Sequence, residues 1–578
     1  MDTIQKDYTL YQNGLDYNNR LSYYETIDKN FRFYEGDHWY GVKNNGQPTL
    51  IMPVYSRVAD HEVATILSSP IKAKFSIENF DSNNAEQKDM QDRVNMLNYK
   101  CEDKWEKEKM NALLRECLID GFNTGDYCIY VTWDASVRTK QHNGVDPLTG
   151  PVEITGDFKC EVIDGGNVMF GNPNDRRTES QPYILLIGRD IVKNLRNEAR
   201  NNGIAEEDVM KIKGDIDYTY QAADRGKIEI ASDNDESSKC MYIIKLWKQD
   251  GQVYQRKSTK YTMIIEDKPT GLSRYPVAWG NWKKRKNSYH GQAPGTVMVP
   301  NQISINQMYS MVVYHMRNTA FGKVVYDGAR IPDGWSNAIG KAIKANGDIN
   351  NIVKQLEPGQ MNQGIYGFMG DLISQTKDLN GANDAALGDV NPEQASGIAI
   401  VSTAKQSTIP LETPEQNLYQ FVEDLMLIWE DFIESNYTVP RKVGYTDKGM
   451  PMVGEILGTD YKEIPLSIKI DVGPSSQWSE ITSVATLDKL LLNKQITFLQ
   501  YLERLPEGFI NDKQALIDEL KGTQQDNNLL YQYMGQFVQS LPPEVQVQLE
   551  QLRQKNPQEF ESQIKQMMSQ GGDMNGQM

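Results

Sequence analysis

Apolar side chains recur at helical spacing in three parts of the N-terminal region. Residues 23–34, 53–67 and 93–121 each place them about every three to four positions, which predicts three helices with one apolar face. The second helix should end near Pro70, because the residue before a proline is biased out of the helical region. Residues 71–77 then alternate between apolar and polar positions, which predicts a strand.

The next region, as far as residue 290, is rich in β-branched and aromatic residues. Such runs favour strands. The predicted strands cover 127–133, 183–187, 242–247 and 261–265. The polar stretches between them are typical of exposed loops.

From residue 291 the pattern becomes helical again, with an insertion between two helices. Residues 291–295 contain two glycines and a proline, and an apolar stripe then continues to Ala320. A second stripe predicts a helix over 359–380. Between them we expect a small αβ unit, with strands at 323–326 and 352–356 and a helix at 335–345.

A stretch of small and polar residues follows the second of these helices. Residues 381–396 are dominated by Gly, Ala, Asn and Asp, which indicates a loop. A long helix then runs from residue 397 to Ile433, interrupted by Pro410 and Pro414. Strands up to residue 474, further helices and a Gln-rich C-terminal arm complete the prediction, so the fold class is α+β and mainly helical.

Composition favours a folded protein without a membrane span. The 578 residues are 39% hydrophobic and 24% charged, and no run of about 18 apolar residues occurs. The N-terminus lacks the apolar core of a signal peptide, so we expect the chain to stay in the cytoplasm where it is made. The five cysteines are odd in number and widely spaced, which predicts free, buried thiols.

The net charge of −17, from 61 basic and 78 acidic residues, argues against tight DNA binding. DNA-binding proteins are usually basic, because neutralising phosphates supplies most of their affinity. The charge either provides solubility or forms a surface that DNA slides past. One basic cluster stands out, comprising Lys283, Lys284, Arg285 and Lys286. It is either an exposed charge run or a contact for DNA or an acidic neighbour.

Motifs of catalysis are missing from the sequence. There is no G-x-x-x-x-G-K-[ST] phosphate loop and no G-x-S-x-G nucleophile turn. The five histidines are dispersed, Asp37-His38 has no third partner, and His61-Glu62 is not H-E-x-x-H because Thr65 stands at the last position. We predict no catalytic residue, no metal site and no cofactor.

Three motifs resemble tailed-bacteriophage portal proteins of the podovirus type. Residues 379–388, Leu-Asn-Gly-Ala-Asn-Asp-Ala-Ala-Leu-Gly, followed by Ala-Ser-Gly-Ile-Ala-Ile at 395–400, resemble the portal tunnel loop and the helix after it. Glu-Gly-Asp-His-Trp at 35–39 and Asp-Val-Gly-Pro-Ser at 471–475 resemble two further portal motifs. The alternative is an ordinary helical hairpin with a loop.

The resemblance implies a portal domain organisation along the chain. It implies an N-terminal wing (1–290), a first stem helix (291–320), a clip (321–358), a second stem helix (359–380), a tunnel loop (381–396), a kinked helix with wing strands (397–474), a crown (475–540) and a Gln-rich arm (541–578).

The resemblance also implies a non-enzymatic function. A portal is a closed ring of about twelve identical copies at one capsid vertex, through which double-stranded DNA is packaged and ejected. Its implied partners are further copies of itself, terminase, head–tail adaptors, and major capsid and scaffolding proteins. It is located in the virion, and in the host cytoplasm during assembly. The alternatives are a metal-dependent nuclease using scattered carboxylates, or another virion ring or scaffold protein.

Two sets of residues are the candidates for contacts with DNA and partners. The tunnel-loop set is Asn380, Asn383, Asp384, Asp389 and Asn391, and the clip set is Lys323, Lys341, Lys344 and Lys354. Each set has a simpler explanation: the loop residues would cap the flanking helix, and the lysines would merely be solvated.

Overall fold

The computed structural model describes most of the chain up to residue 505. The described residues are 3–43, 46–68, 71–77, 85–146, 150–217, 219–220, 236–320, 324–336, 338, 341–356, 362, 364–382, 409–447, 450–462, 464–472 and 477–505, with 513, 516–517, 520–521 and 538 as isolated positions.

Helices dominate both ends of the described chain. They are α1 (Thr3–Arg20), α2 (Tyr23–Tyr34), α3 (Val54–Ile66), α4 (Ala85–Lys107), α5 (Met110–Thr124), α6 (Val192–Asn201), α7 (Glu206–Val209), α8 (Pro294–Ala320), α9 (Gly364–Leu379), α10 (Glu412–Asn436), α11 (Gln477–Leu492) and α12 (Phe498–Arg504).

The strands form a five-stranded sheet, a three-stranded sheet and three two-stranded pairs, all antiparallel. They are β1 (Ile71–Ile77), β2 (Asp126–Asp146), β3 (Gly150–Val162), β4 (Val168–Phe170), β5 (Ile184–Ile191), β6 (Lys239–Gln249), β7 (Gln252–Ser258), β8 (Met263–Pro269), β9 (Val277–Asn281), β10 (Val324–Tyr326), β11 (Val353–Gln355), β12 (Arg441–Asp447), β13 (Met450–Ile456) and β14 (Leu466–Val472). The large sheet has the order β4-β5-β6-β7-β8, and the smaller one β3-β2-β9. The α+β class is therefore confirmed.

The chain divides into two compact units. Residues 1–473 form the first, and residues 474–578 belong to the second. In the second unit α12 begins with a capping box, in which the Thr497 side chain accepts from the Gln500 backbone and the Gln500 side chain accepts from the Thr497 backbone. The Tyr501 hydroxyl joins α12 to α11 by donating to Asp488 at 2.8 Å.

The core of the first unit is built around α10. Leu418, Phe421, Leu425 and Trp429 lie on one face of this helix and are fully buried. They pack against the three-stranded sheet: Phe421 lies 4.9 Å from the ring of Tyr127, and Trp429 lies 5.4 Å from that of Phe158. The C-terminal part of the helix that was predicted to end at Ile433 thus provides the central packing surface of the unit.

The predicted helix over 93–121 is wrong as a single element. It is split into α4 and α5 at Lys109, whose φ of 53° is left-handed. The break lets α4 pack on β1 while α5 packs on β2. Neither Gly nor Pro occurs at the break, so the sequence there lacks the residues that usually mark the end of a helix.

The helix predicted at 335–345 is absent from the described residues of that range. They form turns and irregular backbone, tied down by Asn346 N donating to Arg330 O at 2.9 Å. A helix this short is marginal without a surface to pack against. Only Ile331 and Ile352 are buried in the described part of the insertion, so no such surface exists there.

Two smaller predictions also need correction. The strand placed at 261–265 begins at Met263, because Thr259 closes a turn by accepting from Thr262 N at 3.1 Å. Pro414 lies in the first turn of α10, where a missing backbone N–H costs nothing, and does not interrupt the helix, whereas Pro410 lies in the 3-10 turn Ile409–Leu411 just before it. The preceding predicted segment, 397–408, lies outside the described residues.

Gly295 sets the approach of α8 to the N-terminal helices. A Cβ at this position would clash with the Tyr55 hydroxyl and lie 3.2 Å from Phe122 O. Tyr55 cannot easily move, since it is fully buried and its hydroxyl donates to Asn123 Oδ1 at 2.8 Å. By contrast, nothing lies within 4 Å of a Cβ at Gly370, an exposed position of α9.

We therefore expect opposite effects from the same substitution at these two glycines. Gly295→Ala should lower the free energy of unfolding by about 1–3 kcal/mol, because overpacking outweighs helix propensity. Gly370→Ala should raise it by roughly 0.5–1 kcal/mol. Urea unfolding of unassembled protein, followed by circular dichroism, measures both. Equal stabilisation by the two substitutions would contradict the packing at Gly295.

Candidate functional site

A polar stripe on α8 binds the irregular segment that precedes α3 and the first turn of α3. Gln302, Asn306 and Ser310 are spaced four residues apart and all three are buried. Each accepts from a backbone N–H that has no partner in a helix or sheet. The pairs are Gln302 Oε1 with Tyr55 N at 2.9 Å, Asn306 Oδ1 with Met52 N at 3.1 Å and Ser310 Oγ with Leu50 N at 3.3 Å. The sequence pattern alone did not identify this role, because polar residues on a helix usually face solvent.

His38 is held neutral by the same stripe. Asn306 Nδ2 donates to His38 Nδ1 at 2.8 Å, and His38 Nε2 donates to Phe33 O at 2.8 Å. Burial lowers the pKa of His38. The neighbouring Asp37 instead pairs with Arg32 at 2.9 Å, so these adjacent residues do not converge on a common substrate.

A second polar cluster lies where the chain enters α8. Asp126 accepts from His290 Nδ1 at 2.7 Å and from the Tyr23 hydroxyl at 2.8 Å. The other imidazole nitrogen, Nε2, faces Asn18 Oδ1 at 2.9 Å. His290 and Asp126 are fully buried, so this pair has no surface on which to meet a macromolecular substrate.

The second half of α8, the insertion and α9 leave apolar side chains uncovered. We call α8, the described residues of 324–356 and α9 the helix limb. The two helices contact each other, and Asn301 of α8 donates to Thr376 of α9 at 3.2 Å. Val312 of α8 and Met369 of α9 are both buried. Exposed apolar side chains of the limb include Met311, Tyr314, Met316, Val325, Trp335, Ile349, Val353, Leu356, Tyr366, Phe368 and Leu379. A surface of this extent is typical of a protein interface.

The clip lysines are exposed where the structure describes them. Lys341 and Lys344 lie on irregular backbone and Lys354 on β11, while Lys323 lies outside the described residues. None of the three described lysines has an ion-pair partner among the described residues. The described part of the structure therefore leaves these three lysine side chains accessible.

Of the predicted tunnel-loop residues, only Asn380 is described. Its side chain donates to Thr376 O at 2.8 Å, so it caps the C-terminal turn of α9. Asn383, Asp384, Asp389 and Asn391 lie outside the described residues.

The basic cluster lies on a loop that is fixed at both ends. Trp282 and Tyr289 are fully buried on either side of it, while Lys283, Lys284, Arg285 and Lys286 are all exposed. Partial burial and the charge of Arg176 lower the pKa of Lys284. Arg176 thus belongs to the cluster, although it is distant in sequence.

Titratable groups elsewhere are mostly structural. All five cysteines are free and buried, as predicted. Within the described ranges, no three His, Cys, Asp or Glu side chains are grouped so that they could bind a metal ion. No helix of the described chain is both long and apolar enough to cross a membrane.

Comparisons with known proteins find a family similarity in the central part of the chain. Residues 206–452 match the family model of the Phage P22-like portal protein, and this match confirms the portal resemblance over a segment that includes the helix limb. A solved structure, "Neck of empty GTA particle computed with C6 symmetry", is 8% identical with a TM-score of 0.33, covering 83% of this chain and 94% of that one. Similarity at this level assigns neither fold nor function. No curated protein matches the chain.

The buried side chain of Glu62 predicts a testable pH dependence of the protein's stability. This side chain of α3 is only 3% exposed, and burial raises its pKa to about 8, with the charge of Lys283 opposing the shift. The folded-state pKa therefore lies above the ordinary glutamate value of 4.5, which applies in the unfolded chain. The protein is therefore most stable, with respect to this group, below the unfolded pKa, and loses that stability as the pH rises towards the folded pKa.

Glu62→Gln should remove this loss. We expect the variant to be more stable than the natural protein by on the order of 2–4 kcal/mol at alkaline pH, with little difference below about pH 5. Urea unfolding at several pH values measures the effect. Glu207→Gln, at an exposed position of α7, is the control and should leave the pH profile unchanged. Parallel profiles for Glu62→Gln and the natural protein would show that Glu62 ionises normally.

Proposed function

We propose that this chain is a phage portal protein, the repeated subunit of a ring-shaped channel at one capsid vertex. The main support is the portal-family match over residues 206–452, which contain two long helices on either side of an insertion. In this function the chain is a structural, non-enzymatic component of a virion-like particle. The energy for packaging comes from a separate terminase.

Ring closure accounts for the exposed apolar surface of the helix limb. Identical copies that contact each other through two different surfaces form a closed ring when the rotation between them closes. In such a ring, Tyr314 and Phe368 of each copy would be covered by a neighbour. About twelve copies is the number we infer from the portal resemblance.

The insertion would form the clip, and the stretch after α9 the tunnel loop. Exposed Lys341, Lys344 and Lys354, together with Lys323, would contact terminase during packaging and head–tail adaptors afterwards. Major capsid and scaffolding proteins would surround the ring. Assembly in the host cytoplasm would precede incorporation into the virion.

The first prediction concerns ring assembly. The purified protein should form rings of about a dozen copies with a central channel, visible by mass photometry and negative-stain imaging. Tyr314→Asp/Phe368→Asp places charges on the limb surface and should yield monomers. Because these side chains are 44% and 61% exposed, each copy should retain its fold.

Met210→Asp is the matched control, since Met210 is 51% exposed but lies outside the limb. It should leave rings intact. Natural protein that remains monomeric would contradict the portal function, and divalent-metal-dependent DNA cleavage by that monomer would favour a nuclease. Rings unaffected by the limb substitutions would place the subunit interface elsewhere.

The second prediction concerns DNA passage through the tunnel loop. Acidic side chains there would repel phosphates over a Debye length of roughly 8 Å, so that DNA slides without binding tightly. Asp384→Lys/Asp389→Lys should therefore leave rings intact but slow packaging or stop it part-way, and higher salt should relieve the defect. In vitro packaging with purified terminase measures the rate. A normal rate in this variant, or loss of the ring, would refute the role of the loop charge.

A further inference from the structure

Two loops from distant parts of the sequence enclose a cationic hollow outside the helix limb. The loop after β4 contributes residues 174–177, and the basic loop contributes residues 285–288. Together they line a volume of about 240 Å³. We call this feature the basic hollow. The basic loop is recognisable in the sequence as a run of charged residues. The loop after β4 has no such signal, and only the fold brings it beside the basic loop.

Both loops are fixed by hydrogen bonds before any ligand arrives. Tyr289 N donates to Pro173 O at 3.0 Å, which joins the two loops directly. Trp282 N donates to Gly125 O at 2.9 Å and anchors the other end of the basic loop. A preorganised site loses less conformational entropy on binding than a mobile one.

The first loop is stabilised internally by Asp175. Its carboxylate accepts from Arg177 Nη2 at 2.7 Å and from Ser180 Oγ at 2.8 Å. The hydrogen bonds from Arg177 hold the pKa of Asp175 below its usual value. Asp175 is therefore engaged with Arg177, and the other cations of the hollow have no carboxylate in it to pair with.

Three cations of the hollow remain uncompensated. Arg176, Arg285 and Lys286 are exposed and form no ion pair with any described residue. Like charges held close together repel each other, and the charge of Arg176 adds to the effect of partial burial in lowering the pKa of nearby Lys284. In a chain of net charge −17, this arrangement favours a polyanionic partner that supplies the missing negative charge.

The side chains that line the hollow indicate which of two polyanions would fit it, an acidic protein segment or a sugar–phosphate backbone. Apart from its charged groups it presents only Asn174, Asn287 and Ser288, without an apolar side chain. An acidic protein segment would normally bury apolar or aromatic groups at the centre of its interface. A sugar–phosphate backbone is recognised by basic and small polar donors of the kind present here.

We propose that the basic hollow binds the phosphate backbone of nucleic acid, without reading base sequence. The site lies outside the helix limb and belongs to each single copy. The inference rests on the proposed function only for the source of the nucleic acid, which would be the DNA of the particle. It predicts weak binding that depends strongly on salt, because backbone contacts release counterions.

The test is the binding of a short fluorescent DNA duplex to the full chain, followed by anisotropy between about 50 and 200 mM salt. Arg285→Gln/Lys286→Gln removes two cations and retains most of each side chain's length. Loss of two phosphate contacts should make the slope of log K against log salt less negative by about 1.8. Affinity at low salt should fall several-fold.

Lys6→Gln/Lys29→Gln is the matched control, because it changes the net charge equally at exposed positions of α1 and α2. It should leave the slope unchanged. No duplex binding by the natural protein, an unchanged slope for Arg285→Gln/Lys286→Gln, or equal slopes for the two double variants would overturn the proposal. Tighter binding of poly-glutamate than of the duplex would assign the hollow to acidic proteins instead.

Ring mass measured on the same samples separates this proposal from the proposed function. Natural protein that binds the duplex through the hollow but forms no rings would refute the portal function and leave the nucleic-acid site standing. Intact rings that fail to bind the duplex would support the portal function and refute the nucleic-acid site. Loss of rings in Arg285→Gln/Lys286→Gln would identify the hollow as a subunit interface and overturn the proposal.

Discussion

The buried carboxylate of Asp126 holds together the parts of the molecule from which the helix limb extends. It accepts from Tyr23 in α2, Asn281 in β9 and both His290 and Gly291 in the segment leading into α8. A charge taken out of water costs several kcal/mol unless it is fully hydrogen-bonded. Four donors meet that requirement only when all these segments are in place. Removing one of them would leave a buried charge short of a partner, which couples the start of α8 to the correct assembly of the core.

This anchorage divides α8 into two halves with different chemistry. Its first half is fixed by the buried polar groups of Gln302 and Asn306 and by the close fit at Gly295. Its second half, with the rest of the limb, exposes side chains such as Met316 and Phe368. Polar contacts specify one orientation, since each donor must meet its acceptor, whereas apolar surface binds any complementary neighbour. A rigid base with an exposed apolar surface beyond it would suit the subunit of the proposed ring.

Amphipathic elements were predictable from the sequence, because burial imposes a period that the residues must follow. The helices at Tyr23–Tyr34 and Val54–Ile66 and the strand at Ile71–Ile77 are examples. Features that depend on tertiary contacts were not predictable from the sequence. No local feature of the sequence marks the helix break at Lys109. Asn306 is buried because it accepts from the backbone N–H of Met52, which has no partner in a helix or sheet. The basic loop was visible because its cations are contiguous, while Arg176 joins them only through the fold.

Net charge is a poor guide to how such a chain meets DNA. Screening limits each charge to a range of roughly 8 Å at physiological salt, so a local excess of cations acts independently of the acidic average. On the proposal made above, one basic hollow with few phosphate contacts would bind DNA weakly. A ring would present one copy from every subunit, and linked weak sites gain avidity without new contacts. Such a set of sites would retain DNA against the proposed particle while each single contact still exchanged rapidly, which is compatible with the proposed channel, since that channel must not hold its DNA in place.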